Sequence, residues 1–514
     1  MKIKITAIAL LAAMSLTLFA GCGGSPSVTT TAKAADSTAA AGSDTAADTT
    51  AAGEPVTIKI YTVSLGDASD AAAVAEEINK ITVPKINTKV ELHFINFGAW
   101  SDQANLMLSS GEQVDLMNNG MLPVTNMVAN GQIQPIDEWV DQYGQGIVTA
   151  LGEDYVNAGK IGGKLYAITN NRDLAASYGF VCRADILEKY NLTLDNVKTL
   201  ADLEKILDTV QAGEPDMYMA ASQAAPTMIM PDTAVDSCGD PNNLGVLLNN
   251  GVESTFKNYY ESEFFINWSE TMYDWNQKGL LVPDILSLTD TGDALMKAGK
   301  AFGYFTNLKP GFDTQTKMQT GMDVKTVDLY PAKTSTSNAT TLCWVVPTSA
   351  KYPQQAVEFM NLWNTDPAIS NLLIYGIEGK QYQVIDGENG IIDYAEGISS
   401  SNVTYPVSMG WNIGNQFISY IWNGNAPDYW TQMDEFNKTA IVSTAMGFSF
   451  DTTNVSTEYA ACASVVAQYR NALMCGALDP EAGIPEFNSA LKDAGIDIIL
   501  AEKQAQFEVW QKSK

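Results

Sequence analysis

The part of the sequence that determines the fold begins with Val56-Thr57-Ile58-Lys59-Ile60-Tyr61, in which every second residue is apolar. This period of two predicts a β-strand. A helix is expected from about Ser69, a second strand over 89–94 and a short third strand over 114–117. Such alternation of strands and helices is typical of a parallel sheet with right-handed crossovers, so the sequence predicts an α/β fold.

Later strand-like runs predict that the chain passes between two lobes. Residues 165–169 form an apolar run that leads out of the first lobe, and a run over 301–305 leads back. Crossings near these points imply lobes built from non-contiguous segments, with a hinged cleft between them. The predicted N-terminal lobe comprises 55–170 with about 306–340, and the predicted C-terminal lobe comprises 171–305 with about 341–446.

The end of the chain has helical periodicity. One helix is predicted over 456–475, and Pro485 is expected to begin a second that Gly495 ends. A last helix places a row of mostly apolar side chains on one face: Ile499, Lys503, Phe507 and Trp510. We therefore predict a helical C-terminal domain over 447–514.

The first residues have the pattern of a secretion signal. Two lysines among the first four residues precede an apolar run over 7–20, which is short for a membrane span. The run ends in Leu18-Phe19-Ala20-Gly21-Cys22, which resembles the bacterial lipobox, where cleavage precedes a cysteine that then receives a diacylglyceryl group. We expect a lipoprotein signal peptide over 1–21 and lipidation of Cys22. A plain signal peptide that happens to contain a cysteine is the alternative.

Residues 22–54 consist mainly of Ala, Thr, Ser, Gly and Asp, which bury too little apolar surface to offset the entropy of ordering, so a flexible tether is predicted. Over the whole chain, 59 acidic residues against 30 basic ones give a formal charge of -29. Such a chain repels nucleic acid and other polyanions, so no nucleic-acid partner is expected. General solubility explains the acidity better than a specific cationic partner does.

Five cysteines follow Cys22, an odd and scattered set that does not form a disulfide framework: Cys182, Cys238, Cys343, Cys462 and Cys475. A bridge between Cys462 and Cys475 stays open. His93 is the one histidine in the sequence, which leaves little room for catalytic triads and excludes a zinc site made of histidines. No phosphate-binding loop or EF-hand pattern is present, so no cofactor and no metal site are predicted. Calcium bound by other acidic residues stays open.

Several segments resemble one family. They are Gly376-Ile377-Glu378-Gly379-Lys380-Gln381-Tyr382, Trp344-Val345-Val346-Pro347, Gly447-Phe448-Ser449-Phe450-Asp451 with Glu458, and Leu478-Asp479-Pro480 followed by Ala494-Gly495-Ile496-Asp497. Together with the lipobox they are similar to the extracellular solute-binding lipoproteins of bacterial ABC importers, carbohydrate type. The resemblance implies a two-lobed type II periplasmic-binding-protein fold, each lobe a mixed sheet flanked by helices, with a helical C-terminal extension.

The resemblance also implies a function. The protein would capture a carbohydrate, expected to be an oligosaccharide, between its lobes and deliver it to the transmembrane subunits of an ABC permease. It would be a monomer anchored by lipid on the extracytoplasmic face of a Gram-positive cell membrane, and not an enzyme. Two alternatives remain from the residues alone: a lipid-anchored glycoside hydrolase, because 59 acids always offer some carboxylate pair, and a surface adhesin or scaffold.

Candidate ligand contacts follow from position. Ligands of open α/β sheets lie at the carboxyl ends of strands, and sugars are bound by aromatic faces, amides and carboxylates. Polar and aromatic residues after predicted strands, near the crossings or in a polar loop are therefore the predicted site: Ser64, Asp67, Trp100, Asn118, Asn119, Asn170, Arg172, Asn307, Trp344, Trp411 and Asn412.

Overall fold

A computed structural model describes residues 53–222, 234–288, 290–407 and 409–512. The predicted signal peptide over 1–21, Cys22 and all but the last two residues of the predicted tether lie outside the described residues. The first strand begins at Val56, directly after the predicted tether.

The strands, numbered in chain order, are β1 Val56–Ser64, β2 Thr88–Asn96, β3 Leu116–Asn118, β4 Lys160–Ile161, β5 Lys164–Leu165, β6 Ala167–Thr169, β7 Ala176–Arg183, β8 Tyr218–Ser222, β9 Ala301–Leu308, β10 Val324–Thr334, β11 Cys343–Val345, β12 Tyr382–Asp386, β13 Ile391–Tyr394, β14 Ile421–Trp422 and β15 Ile441–Val442.

The helices are α1 Ala71–Ile86, α2 Phe97–Ser110, α3 Val124–Ala129, α4 Asp137–Tyr143, α5 Gln145–Leu151, α6 Glu153–Asn157, α7 Ala184–Lys189, α8 Leu200–Gly213, α9 Leu248–Gly251, α10 Glu263–Gln277, α11 Gly292–Lys297, α12 Phe312–Thr320, α13 Thr336–Thr340, α14 Pro353–Thr365, α15 Pro367–Tyr375, α16 Tyr429–Thr439, α17 Ser456–Met474, α18 Pro480–Ala494 and α19 Ile496–Gln511.

The first lobe is built on a mixed sheet with the strand order β2-β1-β3-β11-β6. β1 pairs in parallel with β2 and β3, whereas β11 runs antiparallel to β3 and β6. Alternate residues of β1, such as Ile58 and Ile60, are fully buried, as their period of two predicts. Trp363 of α14 packs on Trp344 of β11 with ring centroids 5.1 Å apart, so α14 belongs to this lobe.

The second lobe is built on a sheet with the order β15-β10-β7-β9-β8. The predicted lobe segments were therefore wrong over 306–340 and over the first part of 341–446. β10 pairs antiparallel with β7 from Val324↔Arg183 to Lys333↔Ala176, which places β10 and the chain before it from 306 in the second lobe. β11 pairs with β3 and β6, which places 343–375 in the first lobe, whereas β15 pairs with β10 and lies in the second. A strand's partners decide its lobe, and single-strand periodicity carries no information about partners.

The C-terminal helices pack into the core of the second lobe. Trp268 of α10 donates its indole N–H to the Met474 carbonyl over 3.1 Å, and Phe487 of α18 lies 4.5 Å from Tyr260, centroid to centroid. The helical extension predicted over 447–514 is present as far as it is described, and it is continuous with the second lobe.

Capping residues set the starts of two helices, and one of them differs from the prediction. The side chain of Asn96 accepts from the Gly98 amide, so α2 begins at Phe97. The Asp479 side chain accepts from the Glu481 amide, so α18 begins at Pro480, and Pro485 lies inside the helix. The predicted end at Gly495 is confirmed, since this residue adopts the left-handed conformation with φ 98°.

The five cysteines after Cys22 are buried and unbridged, so the Cys462–Cys475 disulfide that the sequence left open is not formed. Burial raises the pKa of the Cys462 thiol to about 11 and that of Cys475 to about 12, so both stay protonated at neutral pH. Within the described ranges, no helix is long and apolar enough to cross a bilayer.

Asp115 is a fully buried carboxylate that joins three segments of the first lobe. One oxygen accepts from the Lys59 amide over 2.9 Å, and the other accepts from the amides of Lys351 and Tyr352 over 2.8 and 3.0 Å.

We expect Asp115→Ala to lower the free energy of unfolding by about 3 kcal/mol, because several buried amides lose a charged acceptor. Urea denaturation measures the loss. Asp102→Ala, on the exposed face of α2, is the control and should change stability by less than about 0.5 kcal/mol. Equal stability of the two variants would contradict the assigned role.

Candidate functional site

In both sheets, the edge formed by the carboxyl ends of the strands faces the segments that connect the lobes. The carboxyl ends of β1, β2, β3 and β6 lie on one edge of the first sheet, and those of β8, β9, β10 and β15 lie on one edge of the second. In the described part of the chain, the lobes are connected at these edges by 170–175, by 335–342 and by the α16 segment. The first crossing is where the sequence predicted it. The second lies about 30 residues later than predicted, and the third was missed.

A charged cluster organises the first crossing. The Asp173 carboxylate accepts from Lys309 over 2.6 Å and from Arg172 over 3.2 Å. Burial by itself would raise the pKa of the Asp173 carboxyl, but the two cations outweigh it and hold that pKa below its usual value. Burial alone would likewise lower the pKa of Lys309, and the Asp173 charge reverses the shift. The side chains of Asp173 and Lys309 are therefore both charged at neutral pH.

Uncharged groups fasten the same crossing to the rest of the second lobe. The Asn437 side chain of α16 accepts from the amides of Leu174 and Ala175, both over 3.0 Å, and donates to the Arg172 carbonyl over 2.7 Å. Ser335 and Asn338 form a capping box at the start of α13, in the second crossing. The crossings are thus short, polar segments with defined partners, as a hinge requires.

Two adjacent cavities lie at these crossings. One of about 490 Å³, here the hinge cavity, is lined mainly by the second lobe and the crossings, including Arg172, Asp236, Asp240, Asn307, Asn338 and Arg470. The other, of about 310 Å³, here the interlobe cavity, is lined by both lobes, including Leu122, Thr125 and Ile161 on one side and Asp240, Phe450 and Tyr459 on the other. Residues 239–241 line both, so the cavities adjoin, and the two together are here called the cleft.

Three residues that line the hinge cavity each have a buried polar atom with no hydrogen-bond partner in the described part of the structure. The atoms are Nε of Arg172, Oδ1 of Asn307 and Oδ2 of Asp236. Burying such groups unpaired costs free energy, so sites of this kind are completed by water or by a ligand. The lining of the cavity thus includes a guanidinium, amides and carboxylates, which can form hydrogen bonds.

Arg172 and Asn307 are therefore the predicted site residues that the structure places in the cleft. Arg172 lies in the first crossing and Asn307 near the carboxyl end of β9, as predicted from their positions. The sequence missed Asp236, Asp240, Asn338 and Arg470. Asn338 follows β10 closely and would have been found if that strand had been assigned to the second lobe. Nothing in the sequence marks Asp236, whose loop reaches the cleft only through tertiary packing.

Another group of predicted residues meets around the loop 409–415 of the first lobe. The Asn412 carbonyl accepts from the Trp344 indole over 3.0 Å and from Asn118 over 3.4 Å. Asn170 donates to the Gly410 carbonyl over 2.9 Å, and the Asn412 side chain donates to Thr62 over 2.6 Å. The structure brings these residues together, but they fasten a loop to the edge of the first sheet.

In this conformation several of the residues predicted to contact the ligand are buried. Trp100, Asn118, Asn119 and Trp344 are at most 1 % exposed and offer no surface to a solute. The Trp100 indole donates to the Asn119 carbonyl, and Asn119 itself bonds Leu122, Thr340 and Cys343. Asn170 and Asn412 are also fully buried, although one side-chain oxygen of each has no partner in the described structure.

The remaining predicted residues lie outside both cavities. Ser64 and Asp67 stabilise the turn after β1: the Ser64 hydroxyl donates to the Gly66 carbonyl over 2.7 Å, and Asp67 accepts from the Ser69 amide over 2.8 Å. Trp411 is partly exposed at the surface of the first lobe and packs on the core near Trp100. No group of three or more potential metal-ligating side chains occurs within the described residues.

The fold and the cleft together define a two-lobed binding protein, and comparison with known proteins supports this class. Residues 73–375 match the family described as bacterial extracellular solute-binding protein, and residues 444–512 match a domain of unknown function. A carbohydrate ABC transporter substrate-binding protein of Streptococcus pneumoniae is 27 % identical over 475 residues, covering 90 % of this chain and 92 % of the relative.

Solved structures share the fold. The N-glycan transport solute-binding protein NgtS of S. pneumoniae superposes with a TM-score of 0.79 at 24 % identity, covering 89 % of this chain and 99 % of that one. The alginate-binding protein AlgQ2 gives 0.60 at 17 % identity, covering 88 % and 98 %. Because the family match covers more than half of the sequence, this chain belongs to the bacterial extracellular solute-binding proteins. It is an extracytoplasmic binding protein and not an enzyme, with the predicted mixed sheets flanked by helices.

The charged cluster at the first crossing predicts a pH dependence. Because the folded-state pKa of Asp173 is lowered, its stabilising contribution is complete above the unfolded value of about 3.9 and is lost as the pH falls through the folded value. We expect Asp173→Asn to melt at a lower temperature than the wild type at pH 7. The difference should shrink progressively between about pH 5 and pH 2. Thermal unfolding followed by circular dichroism tests this. The control is Asp195→Asn, at an exposed position, and a difference that is constant with pH would contradict the assignment.

Proposed function

We propose that this protein captures an oligosaccharide in the cleft formed by the hinge and interlobe cavities and delivers it to an ABC permease. The observation that carries the proposal is a polar cleft lined by both lobes, whose lining includes Arg172, Asn307 and Asp236. The 27 % identical relative named as a carbohydrate substrate-binding protein supports the solute class. So do structures of NgtS in complex with Man1GlcNAc and Man5GlcNAc.

The chemistry of the cleft suits a sugar. Hydroxyl groups are both donors and acceptors, so one can accept from the Arg172 guanidinium while another donates to Asn307 or Asp236. The rings of Phe450 and Tyr459 line the interlobe cavity and offer apolar surface to the carbon-bound hydrogens of a pyranose. Two adjoining cavities accommodate more than one sugar unit, which favours an oligosaccharide over a monosaccharide.

Binding is expected to close the cleft. Residues of both lobes line the interlobe cavity, so a solute held there contacts the two lobes at once and favours the conformation in which they approach. The three crossings act as the hinge about which one lobe rotates relative to the other. A permease then receives the closed, loaded form. In this proposal the partly exposed Trp411 serves as an additional aromatic surface at the edge of the first sheet.

The proposal includes the position of the protein in the cell. The lipobox-like sequence around Cys22 and the tether over 22–54 support a monomer attached through lipid to the outer face of the cell membrane. The tether would allow the globular part to reach a permease in the same membrane. A diacylglyceryl group together with an amide-linked chain provides the two signals that stable anchoring needs.

Solute binding is tested with the purified globular part, first by thermal shift against sugars, peptides and amino acids, and then by calorimetry with Man5GlcNAc. We expect a sugar to raise the melting temperature, because a solute that binds only the native state stabilises it. Asn307→Ala should weaken binding at least about tenfold, since it removes a buried acceptor from the cleft.

The matched control for that variant is Asn105→Ala, which removes an exposed amide on α2 that bonds only within its own helix. Its affinity should equal that of the wild type. A melting temperature raised by a peptide and by none of the sugars would contradict the carbohydrate part of the proposal. Equal affinity of Asn307→Ala and wild type would contradict the location of the site.

Anchoring is tested in a Gram-positive host by replacing Cys22. Because the thioether to the diacylglyceryl group needs the cysteine sulfur, Cys22→Ala should move the protein from the membrane fraction to the culture medium and abolish labelling with radioactive palmitate. Cys462→Ala, which removes a buried thiol, should leave both unchanged. Membrane retention and labelling of Cys22→Ala would exclude lipidation at this residue.

A further inference from the structure

One wall of the cleft is a loop of unusual backbone conformation, residues 236–245, here called the wall loop. Asp236 and Leu247 exchange two backbone hydrogen bonds of 2.9 and 2.8 Å at its base. Four residues in the loop have positive φ angles: Cys238 (54°), Gly239 (82°), Asn243 (50°) and Gly245 (94°). Residues other than glycine adopt this region at an energetic cost. The loop therefore depends on contacts from outside to keep its shape.

The wall loop is part of both cavities. Asp236, Asp240 and Asn243 line the hinge cavity, and residues 238–241 line the interlobe cavity. The unpartnered carboxylate oxygen of Asp236 belongs to this loop. A shift of the loop would therefore displace polar groups in both cavities at once.

Lys503 of α19 is the principal support of the wall loop. Its side chain is fully buried, and its Nζ donates to the carbonyls of Ser237 and Gly245, each over 2.8 Å. The same Nζ lies 5.1 Å from the ring centroids of Phe256 and Phe450 and 3.9 Å from Asp240. A buried ammonium that bonds two carbonyls on opposite sides of a loop fixes the distance between them.

The helix and the loop are also in close steric contact. A Cβ atom built on Gly245 would lie 2.9 Å from Leu500 and 3.4 Å from the Lys503 side chain, so only glycine allows this approach. α19 is thus packed directly against the backbone of the wall loop.

Two residues of α17 hold the tip of the wall loop. The Tyr459 hydroxyl donates to the Asp240 carboxylate over 2.7 Å, and the Arg470 guanidinium donates to the Pro241 carbonyl over 2.6 Å. Asp240 in turn accepts from the amides of Asn242 and Leu244 over 2.9 and 2.8 Å. The Asp240 carboxylate therefore connects α17 to the backbone of the wall loop through hydrogen bonds.

Lys503, Tyr459 and Arg470 all belong to residues 444–512, which match the domain of unknown function. We infer that this C-terminal domain is the positioning element of the solute site, and that it acts by fixing the wall loop through these three side chains. The inference rests on the proposed function, because it takes the cleft to be the place where the solute binds.

The test uses the full chain and two variants, Lys503→Met and Tyr459→Phe. Lys503→Met removes the ammonium but retains a long side chain, and Tyr459→Phe removes only the hydroxyl. Hydrogen exchange of the 236–245 amides is measured without solute, and the dissociation constant for Man5GlcNAc is measured by calorimetry. We expect loop exchange at least about tenfold faster and binding at least about tenfold weaker in Lys503→Met, with smaller changes in Tyr459→Phe.

The matched control is Lys492→Met, which replaces an exposed lysine of α18 in the same domain and should change neither quantity. Exchange in β9 should stay as in the wild type, because general loss of stability would accelerate it too. If Lys503→Met does not fold, the loop exchange and sugar affinity of Tyr459→Phe alone test the inference. Unchanged loop exchange, or faster loop exchange with unchanged sugar affinity, would overturn the inference. If the wild type does not bind Man5GlcNAc, the proposed function fails for that sugar, while exchange still shows whether the domain holds the loop.

Discussion

The ion cluster of Asp173 with Lys309 and Arg172 is the constraint on which the two-lobed arrangement depends. It fixes the first crossing at the start of β7, where the chain leaves one sheet for the other. Buried charges are tolerated there because each has a partner, and removing one would leave another uncompensated. The same Arg172 lines the hinge cavity, so one residue links the geometry of the hinge to the chemistry of the site.

The two lobes contribute to the cleft in different ways. The first lobe uses buried amides such as Asn118 and Asn170 to fasten the loop 409–415, and it presents apolar side chains such as Leu122 and Ile161 to the interlobe cavity. The second lobe presents most of the polar groups of the hinge cavity, and many of these come from one loop. That loop is held by α17 and α19, which gives the C-terminal helices a role in the cleft as well as in the core.

Position after a strand was a useful but incomplete guide to the site. It found Arg172 and Asn307, because the carboxyl ends of strands do lie at the cleft. It also selected Trp100 and Trp344, whose large side chains are buried in the core. A tryptophan that stacks on a solute and one that packs in a core have the same sequence signature, and only the surrounding elements distinguish them.

The sequence by itself determined the class of fold, most strands and helices, and membership of the family, because periodicity, capping residues and family motifs are local. It did not determine which strands pair, so 306–340 and the first part of 341–446 were assigned to the wrong lobes. Only the tertiary structure decided that Lys503 supports the loop that carries Asp236 and Asp240. Lys503 follows the two aspartates by more than 250 positions in the chain, and the contact follows from the packing of α19 on the second lobe.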